Sequence, residues 1–270
     1  MQGVKKSYEL QVPGFKFLKK CLEEKCMRID QEKCKGCKLC ADYCPVGAIS
    51  YIQDEKNPKK KKGVIDLEEC VECGVCFRAG VCKPEAIFRQ EIGWPRSVRL
   101  AFSDPMIEHK NTGVPGRGTE EMKTNEVTGR FKRGAYGMAV EVGRPGVAGR
   151  LKDLEKIAIS LAKIGVEFEP KNPVTFLFED VKTGKLKPDV RKEKVLSAII
   201  EFVVKPEQIR PVLQALKDIS PKIDSVFSLD LISFPEESEK APALKIVKEM
   251  GFPVYPNGKV NLGLGKILNK

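Results

Sequence analysis

No stretch of these 270 residues approaches the roughly 18 to 20 consecutive apolar residues that a membrane-spanning helix needs. Charges at Lys5, Lys6, Glu9, Lys16 and Lys19 break up the first twenty residues, so no signal-peptide core is expected there. A cytoplasmic protein without a membrane span is the resulting expectation. Histidine occurs once, at His109, and no partner residue for catalysis is identifiable beside it. The nucleotide fingerprints G-x-x-x-x-G-K-[ST] and a strand-flanked G-x-G-x-x-G are both missing. Concentrated positive charge is missing as well. The net charge is +11, but residues 1–92, 93–150 and 151–270 carry excesses of +4, +4 and +3. Nucleic-acid binders gather their charge on one element, so nucleic acid is not an expected partner. An acidic protein or an anionic small molecule suits a basic surface better.

Cysteine is absent from the 188 residues that follow Cys82, yet eight of the ten cysteines crowd into residues 34–82. That distribution points to thiolate–metal chemistry in a reducing compartment rather than to disulfides. The first run, Cys34-Lys-Gly-Cys37-Lys-Leu-Cys40-Ala-Asp-Tyr-Cys44-Pro45, reads C-x2-C-x2-C-x3-C-P. The second, Cys70-Val-Glu-Cys73-Gly-Val-Cys76 to Cys82-Lys-Pro84, repeats it with the last gap stretched to five residues. Three thiolates on one tight loop wrap three corners of an iron–sulfur cubane, and the fourth corner must come from elsewhere. Zinc is the rival, but four-ligand zinc sites are normally built from two C-x-x-C pairs rather than triple runs.

A repeat supports the pairing of the runs. Ile29-Asp30-Gln-Glu32-Lys-Cys34 matches Ile65-Asp66-Leu-Glu68-Glu-Cys70, and Cys44 to Ala48-Ile49 matches Cys82 to Ala86-Ile87. Two copies of one small unit about a pseudo-two-fold axis are expected. On these residues, positions 28–90 resemble a bacterial-type ferredoxin domain with two 4Fe–4S clusters. The resemblance implies crossed ligation, with the remote cysteine of each run serving the other cluster. One cluster then takes Cys34, Cys37, Cys40 and Cys82, and the other Cys70, Cys73, Cys76 and Cys44. If Cys82 fails as a ligand, a three-iron cluster is the alternative. Ile29, Ile49, Ile65 and Ile87 are expected to form the apolar pocket around the sulfurs. Tyr43, Tyr51, Phe77 and Phe88 read as core aromatics, and Lys59–Lys62 as a solvated hairpin tip or a docking patch for an acidic redox partner. Cys21 and Cys26, on an expected short helix, read as free thiols or as part of a site shared with another chain or with an outside ligand.

Residues 93–135 show no sustained periodicity. Asn111-Thr-Gly113-Val-Pro-Gly116-Arg117-Gly118-Thr119 reads either as an ordered loop or as an anion-binding nest, with Arg117, Arg130, Lys132 and Arg133 available to clamp a ligand at 111–133. Asn111 to Asn125 is also similar to the corresponding part of hydroxynicotinate-reductase-like iron–sulfur proteins, which implies anaerobic reduction of aromatic or heteroaromatic acids.

From Tyr136 the order reads strand, helix (Arg150–Ile164), extended segments at Val166–Phe168 and Val174–Phe178, strand (Val195–Val204), helix from Pro206, strand (Ser225–Phe234) and a last helix (Ala241–Met250). The expected class is α+β, a dicluster ferredoxin module followed by a βαββαβ (split βαβ) plait. The expected division is an N-terminal arm (1–27), a ferredoxin domain (28–92), a Gly/Arg-rich linking segment (93–135) and the plait with its C-terminal extension (136–270). An electron-transfer subunit of an anaerobic oxidoreductase complex is the leading functional expectation. A self-contained reductase of an anionic acid and a redox-responsive regulator are the alternatives, so its being an enzyme on its own is left open.

Overall fold

The computed structural model describes residues 26–113, 115, 131–143, 147–233 and 242–254. The expected N-terminal helix with Cys21, and most of 114–130, fall outside them. The chain divides into two compact units, one of residues 1–70 and 74–93, the other of 71–73 and 94–270. It mixes helix and sheet, as an α+β protein does.

The first unit is built from two two-stranded ribbons. Strand β1 (Met27–Ile29) pairs antiparallel with β4 (Ile87–Arg89), and β2 (Ile49–Asp54) with β3 (Asn57–Ile65). A short helix α1 (Val75–Arg78) lies in the second cysteine run. Two ribbons this small bury little surface, and the core consists of Cys26, Met27, Ile29, Ile49, Ile65, Leu67, Ala86 and Ile87. Cysteines of both runs pack against it. A module with so few core side chains depends on additional links, and bound metal is the usual one at this size.

The second unit opens with helix α2 (Ser97–Ser103), inside the stretch that reads as aperiodic. Two apolar residues one turn apart, Val98 and Phe102, give it its buried face. Strands β5 (Tyr136–Val142), β7 (Glu167–Phe168), β11 (Ala198–Val204) and β12 (Phe227–Ile232) form an antiparallel sheet in the order β12-β5-β11-β7. Alternation puts Tyr136, Met138, Val140 and Val142 of β5, and Ala198, Ile200, Phe202 and Val204 of β11, in the main core.

Helix α3 (Leu151–Ala162) covers that core with Leu151, Leu154, Ile157, Ala158 and Leu161 at helical spacing. It stops at Gly165, whose φ of 78° only glycine adopts freely. Helix α4 (Ile209–Ile219) does the same with Ile209, Val212, Leu213 and Leu216. A 3-10 turn over Pro206–Gln208 leads into it. Helix α5 (Pro242–Glu249) contributes Ala243 and Val247.

Strand β6 (Gly149–Arg150) pairs with β10 (Lys194–Val195), and β8 (Phe178–Asp180) with β9 (Lys185–Leu186). Two segments depart from the sequence reading. Val174–Phe178 is not extended throughout: a 3-10 turn occupies Thr175–Leu177 before strand β8 (Phe178–Asp180). The cause is local, because Asn172 Oδ1 accepts the Val174 N–H at 2.7 Å and the Asn172 carbonyl accepts that of Thr175. Val195–Val204 is broken after β10 (Lys194–Val195), where the Leu196 N–H donates to Ser103 Oγ at 2.8 Å rather than to a strand neighbour.

Candidate metal centre

The two cysteine runs sit on the same local scaffold. Asp30 Oδ1 accepts the N–H groups of Glu32 and Lys33, and Asp66 Oδ1 those of Glu68 and Glu69. Each aspartate carbonyl then accepts the N–H of the first cysteine, Cys34 at 2.9 Å and Cys70 at 2.8 Å. These are the turns that Asp favours, and they aim the chain into each loop. Within the loops, left-handed residues recur at the repeat spacing: Gly36 (φ 67°) and Lys38 (71°) in the first, Glu72 (59°) and Gly74 (69°) in the second. Non-glycine residues held there cost roughly 1–2 kcal/mol each. Such a curl turns successive backbone N–H groups toward one side, where anionic sulfur is stabilised.

The stretched gap in the second run does not displace its last cysteine. The Ala86 N–H donates to Cys82 Sγ at 3.3 Å, and the Ala48 N–H donates to Cys44 Sγ at 3.2 Å. The two extra residues are absorbed before Cys82, so both fourth cysteines occupy equivalent places.

One cavity of about 330 Å³, including its open mouth, is lined by Cys34, Cys37, Cys40 and Cys82. Three of these thiols come from the first run and one from the second. Ile29 and Ile87, cross-strand partners, form part of its apolar wall. The Gly63 N–H donates to Cys34 Sγ at 3.3 Å, and the Tyr51 hydroxyl lies 3.4 Å from Cys40 Sγ. Burial is the main cause that pushes the Cys40 thiol above its ordinary value, and burial likewise raises the Tyr51 hydroxyl. Cys40 is half-buried, and a cation bound there would take the place of its proton, which is the chemistry of a metal ligand.

Nine cysteines are described, and none of them is in a disulfide. Among the described residues no three Cys, His, Asp or Glu side chains converge tightly enough for a single ion. Four thiolates on zinc would stand only about 3.8 Å apart, given a Zn–S bond of about 2.3 Å. Thiols grouped round a wider cavity fit a cubane better than one ion. Cys70, Cys76 and Cys44 are half-buried and pack on the module core, while Cys73 is buried.

The other sequence candidates have mixed outcomes. Tyr51 belongs to the site, but Tyr43, Phe77 and Phe88 are not core aromatics: they are exposed at 46%, 50% and 37%. Phe88 follows Ile87 on a strand, so alternation turns it outward. Lys59–Lys62 do not form a hairpin tip. They lie within β3, where Lys61 faces Gln53 and Lys62 faces Ile52, and Glu55-Lys56 make the turn. Lys62 Nζ donates to the Cys34 carbonyl at 2.6 Å. Cys26 is a buried core thiol.

His109 is buried beside Phe102, with ring centroids 5.5 Å apart, and burial lowers its basicity. Its Nδ1 finds no hydrogen-bond partner among the described residues. Lys132 and Arg133 are exposed, whereas Arg117 and Arg130 lie outside the described residues.

Residues 33–86 match the family described as the 4Fe-4S dicluster domain. An uncharacterized ferredoxin of Methanocaldococcus jannaschii is 41% identical over 59 residues, which cover 22% of this chain and 70% of that protein. No helix among the described residues is long and apolar enough to cross a membrane.

Proposed function

Since this chain belongs, through residues 33–86, to the 4Fe-4S dicluster family and so carries two 4Fe–4S clusters, we propose that it relays single electrons within an anaerobic oxidoreductase complex. Each cluster, when bound, accepts and returns one electron. The chain supplies the thiolates. Cys34, Cys37, Cys40 and Cys82 hold one cluster, and Cys70, Cys73, Cys76 and Cys44 hold the other. The observation that supports the first quartet is the cavity in which Cys82 joins three cysteines of the other run, and the second quartet follows from the repeat. The N–H donors of Gly63, Ala48 and Ala86 stabilise anionic sulfur, and Ile29 and Ile87 keep water from one face.

The second unit is read as a split βαβ plait that docks the partner enzyme. The strand order β12-β5-β11-β7, with α3 and α4 as its two crossover helices, supports that reading. Residues 1–27, 28–92, 93–135 and 136–270 remain the proposed functional division, with the helix at Ser97–Ser103 packed into the core of the last part. The setting is cytoplasmic, where thiols stay reduced.

Anaerobic purification from the native source tests the whole reading. The expected result is about eight iron and eight sulfide per chain, together with a larger enzyme that travels with it. Four-thiolate zinc without inorganic sulfide would refute it.

A further inference from the structure

The two cysteine loops are repeats of one another, but their surroundings are not. Cys37 is exposed, and its repeat mate Cys73 is 7% exposed. Lys35, Lys38 and Leu39 stand exposed on the first loop, whereas at the matching places of the second Val71 and Gly74 are buried and Val75 is half-buried. Charge divides the same way. Residues 32–62 hold eight lysines against four acids, Glu32, Asp42, Asp54 and Glu55. Residues 66–86 hold two basic side chains against five acids. A tertiary contact brings part of β3 to the first loop: Gly36 lies so close to β3 that a Cβ there would meet the Lys61 carbonyl oxygen at 2.0 Å. Lys61, exposed, therefore stands beside the loop that carries Lys35 and Lys38.

Resting on the ligand assignment above, we propose that the first loop, Cys34 to Cys40 with β3 beside it, is the electron-exchange face of the module, and that it docks an acidic single-electron carrier protein. Leu39, 48% exposed, supplies an apolar contact on this loop. Lys35, Lys38 and Lys61 supply the steering charge around it. The step moves one electron from the reduced carrier onto the protein, or back, and no bond forms or breaks.

Small inorganic oxidants test the face without knowledge of the partner. Dithionite-reduced holoprotein is mixed with anionic ferricyanide or cationic hexaammineruthenium(III), and cluster absorbance is followed by stopped flow. The variants are Lys35→Glu, Lys38→Glu and Lys61→Glu combined, and as a control the exposed lysines of the second unit, Lys152→Glu, Lys205→Glu and Lys222→Glu combined. The expected result is a drop of about tenfold in the ferricyanide rate at low salt for the first triple only, a rise in the ruthenium rate, and loss of both effects at high salt. Equal rates for the two triples, with iron, sulfide and visible absorbance intact, would overturn this proposal and leave the cluster reading standing. Preparations of the parent protein that lack iron and sulfide would overturn both.

Discussion

The backbone N–H of Ala86 donates to the sulfur of Cys82 at 3.3 Å, as that of Ala48 does to Cys44 at 3.2 Å. This equivalence matters because the gap before Cys82 is two residues longer than the one before Cys44. The first prediction follows from it. Cys82→Ala should remove the fourth corner of the cavity shared with Cys34, Cys37 and Cys40, and leave a three-iron signal or about four iron per chain instead of about eight. Cys26→Ala, a core thiol outside the cavity, should leave the iron count unchanged. Iron and sulfide assay with low-temperature EPR checks both, and equal iron contents would refute the role given to Cys82.

A second prediction concerns Gly36. At φ 67° it lies against β3, and an added Cβ would meet Lys61 backbone at 2.0 Å. Gly36→Ala must therefore push the first loop away from β3, breaking the Gly63-to-Cys34 contact. We expect loss of the cluster held by that loop on anaerobic expression. Gly47→Ala is the comparison: its φ is 64°, but no atom lies within 4 Å of the added carbon. It should cost only backbone strain, about 1–2 kcal/mol, and keep both clusters.

The buried ring of His109 gives a pH prediction. Burial holds its folded-state pKa below the ordinary value of 6.5. Above that value the ring is neutral in both states and contributes no pH dependence. As pH falls through the unfolded value, the unfolded chain binds the proton first, so stability declines, by at most about 1.4 kcal/mol per pH unit. Melting temperatures followed by far-UV circular dichroism from roughly pH 7 to 5 should fall for the parent protein. His109→Phe, which keeps an aromatic ring beside Phe102, should flatten the difference. A variant with an unchanged pH slope would contradict this.

The fourth prediction rests on Arg99, 3% exposed, whose guanidinium is ion-paired with Glu193. Removing one member of a buried pair leaves the other charge without its counterion. Arg99→Ala should destabilise the second unit by about 3–5 kcal/mol, read from denaturant unfolding. The Arg210–Glu249 pair is exposed on both sides, and Arg210→Ala should cost less than about 1 kcal/mol.

Much of the first unit was legible because its determinants are local and repeated. The match of Ile29-Asp30 with Ile65-Asp66 anticipated two equivalent turns, and the ladders Ile29–Ile87 and Ile49–Ile65 realise that symmetry. The helices over Leu151–Ala162 and Ile209–Ile219 were legible from apolar spacing across several turns. Helix Ser97–Ser103 was not, since seven residues with two apolar anchors carry too short a period. The turn at Thr175–Leu177 was hidden by apolar residues that read as extended, while the Asn172 side chain redirected the backbone. Tyr43, Phe77 and Phe88 face outward, since hydrophobicity alone does not say which side of a small module a side chain faces.

The chain's order of residues by itself determined the thiolate chemistry, the twofold repeat and the α+β class. Each of these depends on spacings within a loop, a strand or a helix, and those are properties of neighbouring residues. The ferredoxin resemblance already implied that Cys82 joins Cys34, Cys37 and Cys40, whose shared cavity the tertiary structure displays, but tertiary structure alone decided that Lys61 stands beside the first loop. It also decided that Cys37 meets solvent while Cys73 does not. Burial and proximity across tens of residues depend on which surfaces pack together, and no local spacing encodes that.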